Sequence, residues 1–190
     1  MGLRLKFNLV LLAILAAGLA ASAYVSWTLL QRNAREEVLR NGGLMMEAAL
    51  AIRGYTVRQV KPHIDPLLAE TFIPQAVPAY AAVETLSELR KMHPDYAYRE
   101  ATLNPTNLRD RASDWEADIV RAFRDSVERK EIIGERDTPT GRMLYIARPI
   151  RIKDPACLAC HSVPPAAPAS MLKVYGEANG FGWNLDEVIG

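Results

Sequence analysis

Only two cysteines occur in the 190 residues, and they stand three positions apart, as Cys157 and Cys160. A disulfide framework is excluded, because a bridge between this pair would close no long loop. Their role is local. Charge of one sign is also lacking: twenty-three Lys and Arg against twenty-two Asp and Glu leave a formal net charge of +1. No basic block stands out as a track for a phosphate backbone, so nucleic acid is not an expected partner. The sequence carries no phosphate loop, no Ser/His/Asp set and no paired-carboxylate motif, and is not read as an enzyme. Asp114 and Glu116 flank Trp115 and read as a solvated helix face.

Charge is missing altogether from Phe7 to Leu30, and proline is missing from Phe7 to Val60. As a helix, residues 7–30 exceed the ~30 Å hydrocarbon core of a bilayer. Arg4 and Lys6 precede the run, as expected for an amino end that stays in the cytoplasm, and Tyr24 and Trp27 suit the far interface. The competing reading is a cleaved secretory signal, with Ala21-Ser22-Ala23 as the small-residue site. An uncleaved anchor is preferred because the apolar run continues past that site to Leu30. Both readings export the remainder, giving residues 1–31 as anchor or signal sequence and 32–190 as an exported domain.

The exported part is mixed in character. Residues 32–60 read as a helix leaving the membrane, with Val38, Met45, Ala49 and Ile52 on one stripe and Gly42-Gly43 as a kink, a break or a point of close approach. Pro62, Pro66, Pro74 and Pro78 predict an irregular stretch. A helix is expected over Ala81–Met92, ended by His93-Pro94-Asp95, and a short strand around Tyr96 and Tyr98. Ser113 is a candidate cap for a helix from about Asp114 to Arg129 with Trp115, Ile119, Ala122, Phe123 and Val127 inward. Strands are expected over Glu131–Glu135 and Met143–Ile152, joined by a turn around residues 137–141, with Pro149 marking an edge or bulge. The fold class is α+β, with helices before a small, antiparallel sheet.

Cys157-Leu158-Ala159-Cys160-His161 has the spacing at which two thiols form thioethers with haem vinyl groups while the adjacent imidazole ligates the iron. The motif uses both cysteines of the chain. A dithiol redox site would want its first cysteine at a helix amino terminus, which the flanking loop composition does not suggest. A zinc site would need a fourth ligand from His63, His93 or a carboxylate. One covalently attached haem c, on Cys157, Cys160 and His161, is therefore the expected cofactor. Export agrees with this, since covalent haem attachment in bacteria takes place outside the cytoplasm.

With these residues in view, the chain resembles the haem c-binding, PAS-like sensory domains that form the periplasmic part of many bacterial membrane receptors, long catalogued as a domain of unknown function. The resemblance spans roughly residues 35–190. It rests on Ala51–Thr56, Phe72–Tyr80, Tyr98–Asn107, Asp114–Glu116, the cysteine motif and Asn179–Trp183. It implies a PAS-like fold, in which a small antiparallel sheet and flanking helices enclose the cofactor, and a role in sensing redox state or a small gas ligand. Such relatives commonly continue into a second membrane helix and an output domain, whereas no second apolar span occurs by Gly190. A truncated receptor, a stand-alone haem protein and a subunit that signals through a partner are the three expectations.

The leading expectation is a single-pass protein of the bacterial inner membrane whose periplasmic haem domain senses redox state or a gas. The alternatives are a monohaem cytochrome c for electron transfer and a thiol redox enzyme without haem. His161 is the expected proximal ligand. For the opposite face Met46 ranks first, ahead of Met45 and His63, with His93, Met92, Met143 and Met171 as further candidates; filling of core space is the plainer role for Met45 and Met46. Arg148, Arg151 and Lys153 precede the motif and are candidate partners for a haem propionate, against the commoner role of exposed strand charges. The stripe from Val38 to Ile52 suits either a homodimer through the first helix or the domain's own core.

Overall fold

The structure is a computed structural model that describes every residue except Met1, Ala69, Val127 and Thr140. Val127 of the expected helix face and Thr140 of the expected turn therefore lie outside the described residues. The chain divides into two units, one ending at Asn41 and the other running Gly42–Gly190.

Helix α1 runs Leu3–Tyr55 without a break. Among the described residues it contains the one stretch long and apolar enough to cross a membrane, with a best window of mean hydropathy 2.2 and none of that window buried. Gly42 and Gly43 do not end the helix. At Gly42 the use is space: a Cβ there would sit 3.1 Å from Ile146 Cδ1, so the absent side chain admits Ile146, whereas a Cβ on Gly43 would meet open space. Within the second unit Met45, Ala49 and Ile52 pack with Ala82, Leu86, Leu89 and Tyr98, so this part of the expected stripe faces the domain's own core. A helix pair through α1 would have to use other residues.

After α1 the backbone widens into a π-helical turn, Thr56–Val60, then α2, Lys61–Ile64, and short 3₁₀ turns at Asp65–Leu67 and Pro74–Ala76. The prolines impose this by removing amide donors and fixing φ. Helix α3, Pro78–Met92, begins on a proline at its first position, where the missing N–H costs nothing. Helix α4, Asp114–Arg124, starts at Ser113: the Ser113 amide donates to Glu116 Oε2 at 2.8 Å and its hydroxyl to the same oxygen at 2.7 Å. Glu116 is thereby a capping residue, also 3.7 Å from Arg99, and not a free acid.

Strands β1, Ile132–Thr138, and β2, Gly141–Ala147, form an antiparallel hairpin with Ile132 opposite Ala147 and Gly134 opposite Tyr145. Strand β2 ends at Ala147, short of Pro149. Beyond the proline, Ile150 and Ile152 pair with residues 187–190: Ile150 N donates to Gly190 O at 2.7 Å, Ile189 N to Ile150 O at 2.9 Å and Ile152 N to Glu187 O at 3.0 Å. The pairing closes a second core of Val120, Phe123 and Val188, with Leu103, Ile119, Ile132 and Ala147 around it. The expected alternation of Leu144, Ile146, Arg148, Ile150 and Ile152 on one face thus stops where the proline interrupts the ladder.

No strand forms at Tyr96 and Tyr98. This segment spends its polar groups on α1 instead. Glu100, 5% exposed, receives the Arg53 guanidinium in an ion pair and the Tyr98 hydroxyl at 3.0 Å. Burial raises the Glu100 carboxyl above its ordinary value despite Arg53 and Tyr98, and burial with the adjacent carboxylate raises the Tyr98 phenol. Arg53→Ala leaves Glu100 buried without its cation, and we expect a loss of about 3 kcal/mol in urea unfolding. The raised carboxyl keeps its proton in the folded chain at pH values where the unfolded chain has lost it. Its stabilisation is complete below the ordinary value of 4.5 and lost as pH rises through the folded value. Unfolding free energy should therefore fall as pH rises from the ordinary value to the raised one, and Glu100→Gln should flatten this slope.

Candidate functional site

The candidate site is built by one local device in the chain. Asp154 caps a 3₁₀ turn, Pro155–Cys157, its Oδ1 accepting from Ala156 N at 2.9 Å and its carbonyl from Cys157 N at 3.0 Å. The single helical turn α5, Leu158–His161, follows directly. Cys157, Cys160 and His161 therefore sit at offsets of three and four along one turn, on one side of it. The flanking composition did not suggest a helix amino terminus at the first cysteine, and this is corrected here: Asp154 and Pro155 start a turn, and Cys157 stands at the amino end of α5. The thiols are nevertheless not activated. Burial raises both above their ordinary range, Cys157 with added repulsion from Asp154, Cys160 with Asp65 opposing Lys61.

His161 is held from three directions. Its Nδ1 lies 2.8 Å from the Gly180 carbonyl oxygen, and the Thr106 hydroxyl is 3.4 Å from the same nitrogen. Trp183 stacks on the imidazole, ring centroids 4.0 Å apart and planes 17° from parallel. A carbonyl only accepts, so Nδ1 carries the proton and the lone pair is left on Nε2. Burial pushes the imidazole pKa down, which keeps the ring neutral, the form that ligates a metal.

The loop that supplies this carbonyl depends on glycine. Gly180 has φ 84° and Gly182 has φ 78°, and a Cβ on Gly180 would overlap Thr106. Gly182 N donates to Ser162 O at 2.8 Å and Trp183 N to His161 O at 3.2 Å, tying the loop to the end of α5. The cluster Asn179–Trp183 is conspicuous in the sequence, but its partner His161 is known only from the fold.

The charges and sulfur atoms that sequence reasoning singled out are dispersed. Arg148 is committed to Glu47 at 2.7 Å and Glu131 at 2.8 Å, and Arg151 donates to Asp186 O at 2.8 Å. Lys153 is exposed. The cations whose fields reach the thiols are instead Arg53, acting on Cys157, and Lys61, acting on Cys160. Neither stands out in the sequence as a partner of the motif, because both lie far upstream of it; Arg53 belongs to the stretch Ala51–Thr56. Met45 joins the core, Met171 is buried on α6, Ala169–Tyr175, and Met92, Met143, His63 and His93 are exposed. Met46 is half-buried on α1, seven residues or about 10 Å along the axis before Arg53. His63 lies between Lys61 and Asp65, on the segment facing Cys160. Among the described residues no three His, Cys, Asp or Glu side chains group as a metal cage, so a zinc site gains no support.

The fold is thus a hairpin and its flanking helices carrying a thiol–thiol–imidazole turn, continuous with a long apolar helix. The chain belongs to the Tll0287-like family, whose model matches residues 31–190. Among solved structures it is similar to one described as the crystal structure of the cyanobacterial heme-protein Tll0287, at a TM-score of 0.60 and 15% identity, covering 81% of this chain and 91% of that one. No curated protein matches. Gly180→Ala must abandon a positive φ and push against Thr106; we expect a loss of about 1–3 kcal/mol by chemical denaturation, whereas Gly182→Ala, with open space at its Cβ, should lose less.

Proposed function

We propose that this chain is a bacterial inner-membrane protein, anchored once through residues 7–30, that holds one haem c in a periplasmic domain and senses redox state or a small gas ligand. The observation that carries the reading is the turn at 157–161: two half-buried thiols and an imidazole on one side, with the Nδ1 of that imidazole already committed to a carbonyl. The residues present fit the group. Cys157 and Cys160 would hold it through thioethers, and His161 would ligate through Nε2. The fold shared with a structure described as a heme-protein supports the same assignment. When bound, such a group supplies one-electron chemistry and an iron position open to a second ligand. The residues of this chain would orient it through His161, whose ring Trp183 covers, with the charges of Arg53 and Lys61 acting at the two attachment thiols. Met46 is the proposed second ligand and His63 its rival; Met45 is committed to the core.

The second reading is a monohaem electron carrier. Sensing is preferred because α1 ends only two residues past Arg53, so the helix that contains the apolar segment also carries the cation acting on Cys157. No enzymatic activity is proposed.

The full chain, expressed with haem maturation and denatured after purification, should retain a haem c absorbance band, lost in Cys157→Ser/Cys160→Ser. Absence of the band in the unmodified chain would sink the haem assignment. Carbon monoxide should shift the spectrum of the reduced protein, since a gas sensor must release a ligand; no shift would leave electron transfer as the better reading.

A further inference from the structure

The hydrogen bond that sets the protonation of His161 depends on a backbone carbonyl in a glycine-rich loop, and such a loop does not hold a carbonyl in place unaided. Asn104 supplies the restraint. Its Oδ1 accepts from Gly180 N at 3.1 Å and its Nδ2 donates to Phe181 O at 3.1 Å, gripping the amides on both sides of the Gly180 carbonyl. Asn104 itself stands on fixed backbone: Thr102 N donates to Asp110 O at 2.8 Å, Ala112 N to Thr102 O at 2.9 Å, and Leu103 N to Ile189 O at 3.2 Å.

Thr106 makes the restraint consequential. Its hydroxyl lies 3.4 Å from Nδ1, and a hydroxyl, unlike a carbonyl, can donate as well as accept. If the Gly180 carbonyl turned away, Thr106 could donate to an unprotonated Nδ1, and the proton would move to Nε2. That tautomer has no lone pair on Nε2 for a metal.

We propose that Asn104 is the positioning residue for His161, selecting the Nδ1–H tautomer by aiming the Gly180 carbonyl and so tuning the imidazole as an iron ligand. The inference rests on the reading of His161 as that ligand. A metal-bound histidine whose other N–H is given to a firm acceptor is the more basic ligand. Asn104 therefore favours the oxidised over the reduced iron.

The test uses the full haem-loaded chain. Its low-spin ferrous form is diamagnetic, with carbon monoxide or the chain's own ligand in place, so the His161 Nδ1–H can be followed by proton NMR. In Asn104→Ala this proton should exchange with solvent about tenfold faster or more, and the midpoint potential should move positive, with the haem still attached through Cys157 and Cys160. Asn104→Asp keeps the acceptor for Gly180 N, loses the donor to Phe181 O and should fall between. In the haem-loaded chain Nδ1 keeps its proton and Thr106 can only accept from it, so adding Thr106→Val to Asn104→Ala removes the remaining acceptor and should move the potential further positive. Unchanged exchange and potential in Asn104→Asp or Asn104→Ala, with haem attached, would overturn the positioning role. An unmodified chain without covalent haem would instead overturn the ligand reading. If Asn104→Ala does not fold, Asn104→Asp decides by the same two measurements.

Discussion

The carbonyl of Gly180 has to face Nδ1 of His161, and much of the second unit is arranged around that one hydrogen bond of 2.8 Å. Neither partner holds itself. The imidazole is set by a single helical turn, too short to be stable alone, and the carbonyl by a loop with two glycines at positive φ. Their mutual position is fixed from outside, by Trp183 stacked on the ring and by Asn104 from a segment more than seventy residues earlier. A polar contact at a half-buried site gains little from isolated geometry. It gains from the number of elements that agree on it.

The same agreement of elements holds residues 187–190. Residues 187–190 complete the ladder that Pro149 interrupts, and Leu103, next to Asn104, donates into the same segment. Phe123 and Val188 seal the junction. Residues 187–190 are thus structural: they pin the backbone on which Asn104 stands and close the core beneath the hairpin.

Across the domain, the part-buried Arg53–Glu100 pair ties the last turns of α1 to the segment that leads into Asn104. Such a pair repays its desolvation only with good geometry and further hydrogen bonds, and Tyr98 supplies one. It also places a cation within range of Cys157, so one contact serves both the packing of α1 and the electrostatics of the motif.

Helices α1 and α4, most of α3, the hairpin and the α+β class were legible in the chain because each rests on short-range rules such as apolar spacing and Ser113 as a cap, whereas the start of α3 at Pro78 and the capping role of Glu116 were not. The motif was legible because five adjacent residues carry its chemistry. Other features were not. The expected strand at Tyr98 became a polar strut because Arg53 was there to receive Glu100, and the charges expected beside the motif, Arg148 and Arg151, were taken by Glu47, Glu131 and Asp186. By itself the sequence determined the long helices, the hairpin and which three residues carry thiol and imidazole chemistry. Tertiary structure alone decided which nitrogen of His161 is free, because the acceptor that fixes it lies nineteen residues away and the side chain that aims that acceptor lies seventy-six residues from it.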